Sequence, residues 1–243
     1  VKPALAAAAG GSAKALIAFG GKPLVSRTIS ELRASVRVHR IAVVGGEQVL
    51  SEVEGTVDIA IPEGTSAPDN IVRAMDQLMR LPQPPERVLI VTTDLPFLAS
   101  KHVAHFLDLC STGEDIFVPI VERDRYLQRF PNSRSMFVRL RDDSWTMGCC
   151  FVLNVETFMR IRPRVEEVFA NRKSPIGMAK LLGGGFLLRF LTKQLSVPDI
   201  ESKVTTLLSC SGRAVRGAAP ELAFDIDDVD DFEYARSHWS ESR

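Results

Sequence analysis

Three aspartates, one in the middle of the chain and two near its far end, carry the most specific chemistry in this sequence. Asp94 follows the apolar run 88–91, and Pro96 comes two positions later. A short run rich in Val and Ile reads as a buried strand, and the proline ends it. In an open parallel sheet, ligands bind outside the carboxyl ends of the strands. A carboxylate delivered there by a rigid strand is well placed to hold a hard cation such as Mg²⁺. Its candidate partners are Asp225 and Asp227 in the closing Asp-Ile-Asp. Read alone, Asp94 also suits an ordinary strand-end turn. Asp227 or Asp228 also suits a helix cap, where the acidic first turn complements the helix dipole.

The first twenty-five residues supply the complementary charge. Gly10 and Gly11 directly follow an apolar run, and Lys14 comes three positions after Gly11, with Lys22 as a second cation. Glycines there let backbone N–H groups approach phosphates closely, and Lys14 can neutralise part of a triphosphate. Neither the Walker pattern G-x-x-x-x-G-K-[ST] nor the dinucleotide fingerprint G-x-G-x-x-G occurs. On spacing alone, a surface loop with an exposed lysine fits equally well.

The elements that must position these groups alternate. Strands are expected at 4–9, 40–44, 57–61, 88–92 and 116–120, with helices at 24–34, 70–81 and 101–110. Strands alternating with helices of about ten residues predict an α/β fold with a mostly parallel sheet and helices on both faces. After residue 120, strands at 136–140 and 146–153 around Asp142-Asp143 predict an added antiparallel hairpin. A helical insertion follows over about 155–208, broken at Pro163, Pro175, Gly183–Gly185 and Pro198. Residues 214–216 and 222–226 are expected to return to the sheet before a closing helix at 228–239. No repeat or low-complexity linker divides the 243 residues, so one domain with an insertion is the simplest organisation.

Composition narrows the partners. Hydrophobic residues make up 45% and charged residues 25% of the chain, as in ordinary globular proteins. Thirty basic residues balance thirty acidic ones, so no net field recruits nucleic acid or an anionic membrane. A local cluster of arginines at 123, 125, 129, 134, 139 and 141 stands out from that balance. No run approaches the roughly 18–20 apolar residues of a membrane span, and the apolar opening reads as a strand rather than a signal peptide. Cys110, Cys149, Cys150 and Cys210 lack zinc-site spacing and sit in apolar surroundings, which predicts reduced thiols and a cytoplasmic location.

These segments together resemble a family. Residues 5–25, with a glycine loop followed by Lys14-Ala15-Leu16 and Gly21-Lys22-Pro23-Leu24, are similar to the opening of the MobA-like nucleotidyltransferases, those related to molybdenum cofactor guanylyltransferase. Thr93-Asp94-Leu95-Pro96 resembles the family's metal-binding turn, and residues 224–232 resemble its closing segment. Arg172-Lys173-Ser174-Pro175 is similar to a helix start in one branch of these enzymes. The resemblance implies a nucleotide-diphospho-sugar transferase fold over residues 1–243. It also implies Mg²⁺-assisted transfer of a nucleoside monophosphate from GTP, CTP or UTP to a phosphorylated small molecule, releasing pyrophosphate.

By the same resemblance Asp94 and Asp227 hold the metal, with Asp225 as the substitute for Asp227. Lys14 is catalytic beside Asp94, and Ala8, Ala9, Gly10, Gly11, Gly64, Asn70 and Thr93 line the nucleotide. Asn70 has an amide suited to a base edge, although Asp69 or Asn70 as a helix cap fits equally well. Arg139 and Lys173 are weaker candidates for an acceptor phosphate. Two departures favour a binding protein without turnover: only Ser12-Ala13 separate Gly11 from Lys14, and Cys149 replaces a polar residue. A nucleotide-sugar glycosyltransferase is disfavoured because no Asp-x-Asp lies near mid-chain.

Overall fold

The run around residue 90 is apolar at every position, which demands cover on both faces of any strand it forms. The computed structural model, which describes residues 5, 13–171 and 174–239, meets that demand with an α/β architecture. A 3-10 turn at Lys14–Leu16 leads into a tight hairpin of β1 (Ala18–Phe19) and β2 (Lys22–Pro23), then α1 (Leu24–Ala34). Gly20 and Gly21 take φ of 58° and 78° between the two strands, the left-handed geometry of a two-residue hairpin loop. Next come β3 (Ala42–Gly45), α2 (Glu47–Glu52), β4 (Ile59–Pro62), α3 (Ala67–Met79), β5 (Arg87–Val91) and α4 (Ser100–Leu109). The chain continues through β6 (Ile116–Glu122), α5 (Arg123–Arg129), β7 (Val138–Arg139), β8 (Ser144–Met147) and β9 (Cys150–Asn154). Helices α6 (Val155–Asn171), α7 (Pro175–Leu182), α8 (Gly184–Leu191) and α9 (Val197–Leu208) precede β10 (Gly212–Val215) and α10 (Val229–His238).

The period-two geometry of β5 explains its sequence. Val88 and Ile90 pack with Val72 and Met75 of α3 and Phe158 of α6. Leu89 and Val91 point the other way, into Val103 and Phe106 of α4. The β5 side chains are partly buried, and fully burying one of this size contributes up to roughly 1.5–3 kcal/mol, against tenths of a kcal/mol for helix propensity at most positions. Packing on the sheet therefore positions these helices.

The sheet departs from the expected mostly parallel arrangement. The strand order is β5-β9-β6-β8-β7, with β10 also paired to β6. β9 runs antiparallel to both β5 and β6, and β8 is antiparallel to β6 and β7. Among the described residues only β3–β4 and β6–β10 pair in parallel. The strand expected at 146–153 is interrupted at Gly148-Cys149; both halves run antiparallel to β6, and the second lies between β5 and β6. The hairpin expected around Asp142-Asp143 is present as β7–β8, shorter than anticipated.

Asp115 clamps both ends of the helical stretch α6–α9. Its carboxylate accepts from the Thr157 hydroxyl at 2.7 Å, and from the Ser211 amide and hydroxyl at 2.8 and 2.7 Å. Burial works against the charge, yet these hydrogen bonds outweigh it and hold Asp115 below the ordinary carboxylate range. Within this stretch Pro163 lies inside α6 rather than ending it, while Pro175 and Pro198 begin helices, where a missing N–H costs nothing. Residues 222–226 do not form a strand. A 3-10 turn at Pro220–Leu222 leads into a stretch that joins no strand ladder. The strand expected at 4–9 falls almost wholly outside the described residues; Leu5 is buried.

Gly148 marks the tightest crossing. Its amide donates to Pro119 O at 2.8 Å, and the next amide, of Cys149, donates to Leu222 O at 2.7 Å. A Cβ on Gly148 would lie 2.8 Å from Pro119 Cγ and 2.9 Å from Leu222 O. Gly148→Ala is therefore expected to cost about 1–3 kcal/mol, measured as a lower midpoint in urea denaturation with an unchanged slope. A neutral result would show that the crossing yields without strain.

Candidate active site

Asp94 lies three residues beyond the end of β5. Its backbone carbonyl accepts from the Ile226 amide at 3.1 Å, which ties the mid-chain turn to the closing segment. In that segment Phe224 and Ile226 are buried, at 2% and 0% exposure. Alternation in an extended chain then sends Asp225 and Asp227 to the opposite side. Aromatic packing fixes the same junction: Phe97 meets Phe224 edge to face at 5.0 Å and Phe130 at 5.1 Å. Ile17 and Phe19 join this cluster and bring the turn that carries Lys14 alongside.

The result is one lysine among three carboxylates. Oxygens of Asp94, Asp225 and Asp227 lie within 4.8 Å of one another. Lys14 Nζ donates to Asp227 Oδ1 at 2.7 Å and Asp94 Oδ2 at 3.4 Å. Burial alone would lower the Lys14 pKa, but the Asp227 hydrogen bond and the two negative charges raise it above its ordinary value. Asp225 is pushed up to about 6, first by burial and then by the charges of Asp94 and Asp227. Burial, with the same three carboxylates adding to it, also raises the Cys149 thiol and holds it neutral beside the cluster.

The cap alternatives separate cleanly. Asp228, not Asp227, is the N-cap of α10, its carboxylate accepting from Asp230 and Asp231 amides. The Asp227 and Asp228 amides donate to Asp231 Oδ2 at 2.9 and 3.0 Å, so the Asp227 side chain is left to face Lys14. At α3 the cap is Ser66, in place of the expected Asp69 or Asn70. Asn70 Oδ1 accepts from the Gly64 amide at 2.6 Å, and Asp69 accepts from Thr65 at 2.9 Å. The loop after β4 is thus folded on itself, with Gly64 and Asn70 joined to each other rather than to the carboxylates. A side chain at Gly64 would collide with Asp69.

Thr93 is half-buried beside Asp94. Lys22 and Arg139 are exposed on their strands, and Arg139 contacts Ser144. The arginine cluster is partly neutralised, Arg129 pairing with Glu221 and Arg134 with Asp230. Ala8, Ala9, Gly10, Gly11 and Lys173 lie outside the described residues.

Behind the site sits a network that no motif announced. Glu221, 8% exposed, accepts from Arg129 Nε at 2.7 Å and faces His102 Nε2 at 3.8 Å. His102 Nδ1 accepts from the Ala99 amide, so the remaining ring nitrogen carries its hydrogen toward Glu221. Burial lowers the His102 pKa more than Glu221 raises it. Glu221 thereby links the segment leading to Asp225 with the helix that follows Asp94. Only the fold brings these residues together.

Comparison with known proteins gives this geometry a context. A search of curated proteins gave no match. Among solved structures, a hypothetical transferase from Thermus thermophilus is 27% identical, with a TM-score of 0.82 and 95% of each chain covered. A CMP:2-keto-3-deoxy-manno-octonic acid synthetase complexed with CTP is 12% identical, with a TM-score of 0.58 over 95% of this chain and 92% of that one. A 2-C-methyl-D-erythritol 4-phosphate cytidylyltransferase, also from Thermus thermophilus, is 15% identical, with a TM-score of 0.56 over 93% and 94%. The last two share the fold. The model of the MobA-like NTP transferase domain matches residues 7–186, a span that includes Lys14, Asp94 and most of the sheet. The chain belongs to the MobA-like NTP transferase domain family.

Proposed function

We propose that this protein is a Mg²⁺-dependent nucleotidyltransferase that transfers a nucleoside monophosphate from an NTP to a phosphorylated small molecule. The observation that carries this reading is the convergence of Asp94, Asp225 and Asp227 within 4.8 Å, with Lys14 among them. An acceptor phosphate oxygen attacks the α-phosphorus, the bond to the bridging α–β oxygen breaks, and pyrophosphate leaves. Both reactants are anionic, so the site must supply positive charge and alignment.

The residues fit a divalent cation. Asp94 Oδ1 is buried without a hydrogen-bond partner among the described residues, and carboxylate oxygens suit a hard ion. Three carboxylates against one ammonium leave two negative charges, which a divalent cation cancels. Asp94 and Asp227 would hold it, with Asp225 beside them, and when bound it would offset charge on the triphosphate. Lys14 holds its proton firmly and can turn from Asp227 toward the phosphates. The Ile226–Asp94 hydrogen bond keeps the Asp94 turn in place while it does so. Asn70 keeps its side-chain N–H₂ unpartnered among the described residues, available to a base edge. CTP is the first nucleotide to test, because two proteins of this fold carry CTP or cytidylyl in their names.

Two measurements check this. Pyrophosphate release should require Mg²⁺, an NTP and a phosphorylated acceptor, and should fall roughly 100- to 1,000-fold in Asp94→Ala and Lys14→Met. Tight NTP binding with no turnover across a broad acceptor pool would instead make this a nucleotide-binding protein. The second measurement follows from charge crowding. The folded-state pKa of Asp225, about 6, stands above its ordinary 3.8. The fold therefore binds that proton more tightly than the unfolded chain and loses stability as pH rises through this interval. Without metal, Asp225→Asn should melt higher than the parent at about pH 8, and the gap should close near about pH 4. Added Mg²⁺ should raise the parent's midpoint more than the variant's. A gap that ignores pH would refute the crowding.

A further inference from the structure

The charge balance of the whole chain hides a local imbalance. Residues 168–198 contain Arg172, Lys173, Lys180, Arg189 and Lys193 and no Asp or Glu. The same stretch turns apolar side chains to solvent. Ile176 is 72% exposed, Leu188 63% and Leu191 67%, with Phe190 at 38%. In α8 five of the eight residues are Phe or Leu, and none is buried. One side is anchored: Phe186 packs on Leu140, Trp145, Leu195 and Val197, and Arg189 pairs with Asp199 at 3.0 Å. Lys180 and Lys193 are exposed and have no acidic partner among the described residues.

We propose that the α7–α8 segment docks the protein on an anionic lipid surface, with Ile176, Leu188 and Leu191 entering the headgroup layer and Lys180 and Lys193 facing lipid phosphates. Exposed apolar side chains beside lysines with no acidic partner among the described residues are the composition of an interfacial element. Charge decides against the main alternative, a second copy of this chain. A twofold contact through this patch sets the same cations against one another, with no acid in the segment to neutralise them. Four partly exposed side chains also fall short of the roughly 800 Å² per partner that a stable dimer buries. An anionic bilayer supplies both an apolar layer and negative charge. The neutral total charge does not oppose this, because the attraction fades within a Debye length of roughly 8–10 Å. No helix among the described residues is long and apolar enough to cross a membrane, so the contact is peripheral.

The test is co-sedimentation of the full chain with phosphatidylcholine vesicles, with and without one third phosphatidylglycerol. The protein is expected to bind the anionic vesicles, to bind neutral ones far more weakly, and to be released by high salt. Replacing both Leu188 and Leu191 by Ser should weaken binding at least about ten-fold. Lys180→Glu and Lys193→Glu should each weaken it roughly five-fold or more. All these side chains are exposed, so the thermal midpoints should match the parent. Failure to bind anionic vesicles, equal binding to neutral vesicles, or binding insensitive to these substitutions overturns the proposal. A dimer in light scattering that dissolves in the double leucine variant, without vesicle binding, assigns the patch to a second copy instead. None of these readouts depends on nucleotide transfer.

Discussion

Phe97 and Phe224 hold together a site whose charges push apart. Asp94 lies three residues before one ring, Asp225 one residue after the other, and the rings meet edge to face at 5.0 Å. Two carboxylates at the separations seen here repel by roughly 3–4 kcal/mol at an effective dielectric of about 20. Lys14 offsets part of that. The aromatic cluster offsets the rest: truncating one buried Phe typically costs about 3–5 kcal/mol, and each favourable ring pair adds about 0.5–1.5 kcal/mol. Phe130 at 4.8 Å from Phe224 makes the contact a triangle rather than a single pair. The fold brings the acids together because the apolar residues beside them gain more than the acids lose.

The same logic explains why the support behind the site is polar. Glu221 is nearly sealed from water, and an unpaired carboxylate there would be costly. Arg129 meets that demand at 2.7 Å while stacking over the Phe130 ring at 4.8 Å. The arginine thus belongs at once to the aromatic cluster and to the ion pair. Both contacts bear on the 3-10 turn that precedes Asp225. Gly148 adds a steric constraint on the same turn, since only a residue without a Cβ lets β8 and β9 pass so close to Leu222.

Much of this was legible in the residue pattern, and the rest failed for identifiable reasons. The helix at 24–34 was placed correctly because its apolar positions share one face, and Pro23 and Ser35 flank it. A strand end marked Asp94 and the family resemblance marked Asp225 and Asp227; alternation along the closing segment explains why the last two point the same way. Strand direction was not legible, because local composition does not say which way a chain passes between two others. The strand expected at 146–153 broke because Gly148 and Cys149 give their amides to Pro119 and Leu222. Pro163 deceived in the other sense: one missing intrahelical bond is tolerated inside a seventeen-residue helix that buries Phe158 and Ile161. Neighbouring aspartates were indistinguishable as cap or ligand until the start of α10 was fixed.

Burial divides the work among the three carboxylates. The Asp94 side chain is 17% exposed and that of Asp227 is 68% exposed. A group fixed by the sheet, by a backbone hydrogen bond and by aromatic packing supplies a constant position, which alignment of reacting groups requires. A group at the open edge can exchange one positive partner for another without disturbing the core. Lys14 touches both and is itself only half-buried, so it can leave Asp227 at little structural cost. Asp225, between them, is the member whose charge the fold tolerates least. In the proposed cation site these would be one fixed ligand, one exchangeable ligand and one strained neighbour, an arrangement that Lys14 neutralises in part and that a second cation would satisfy further.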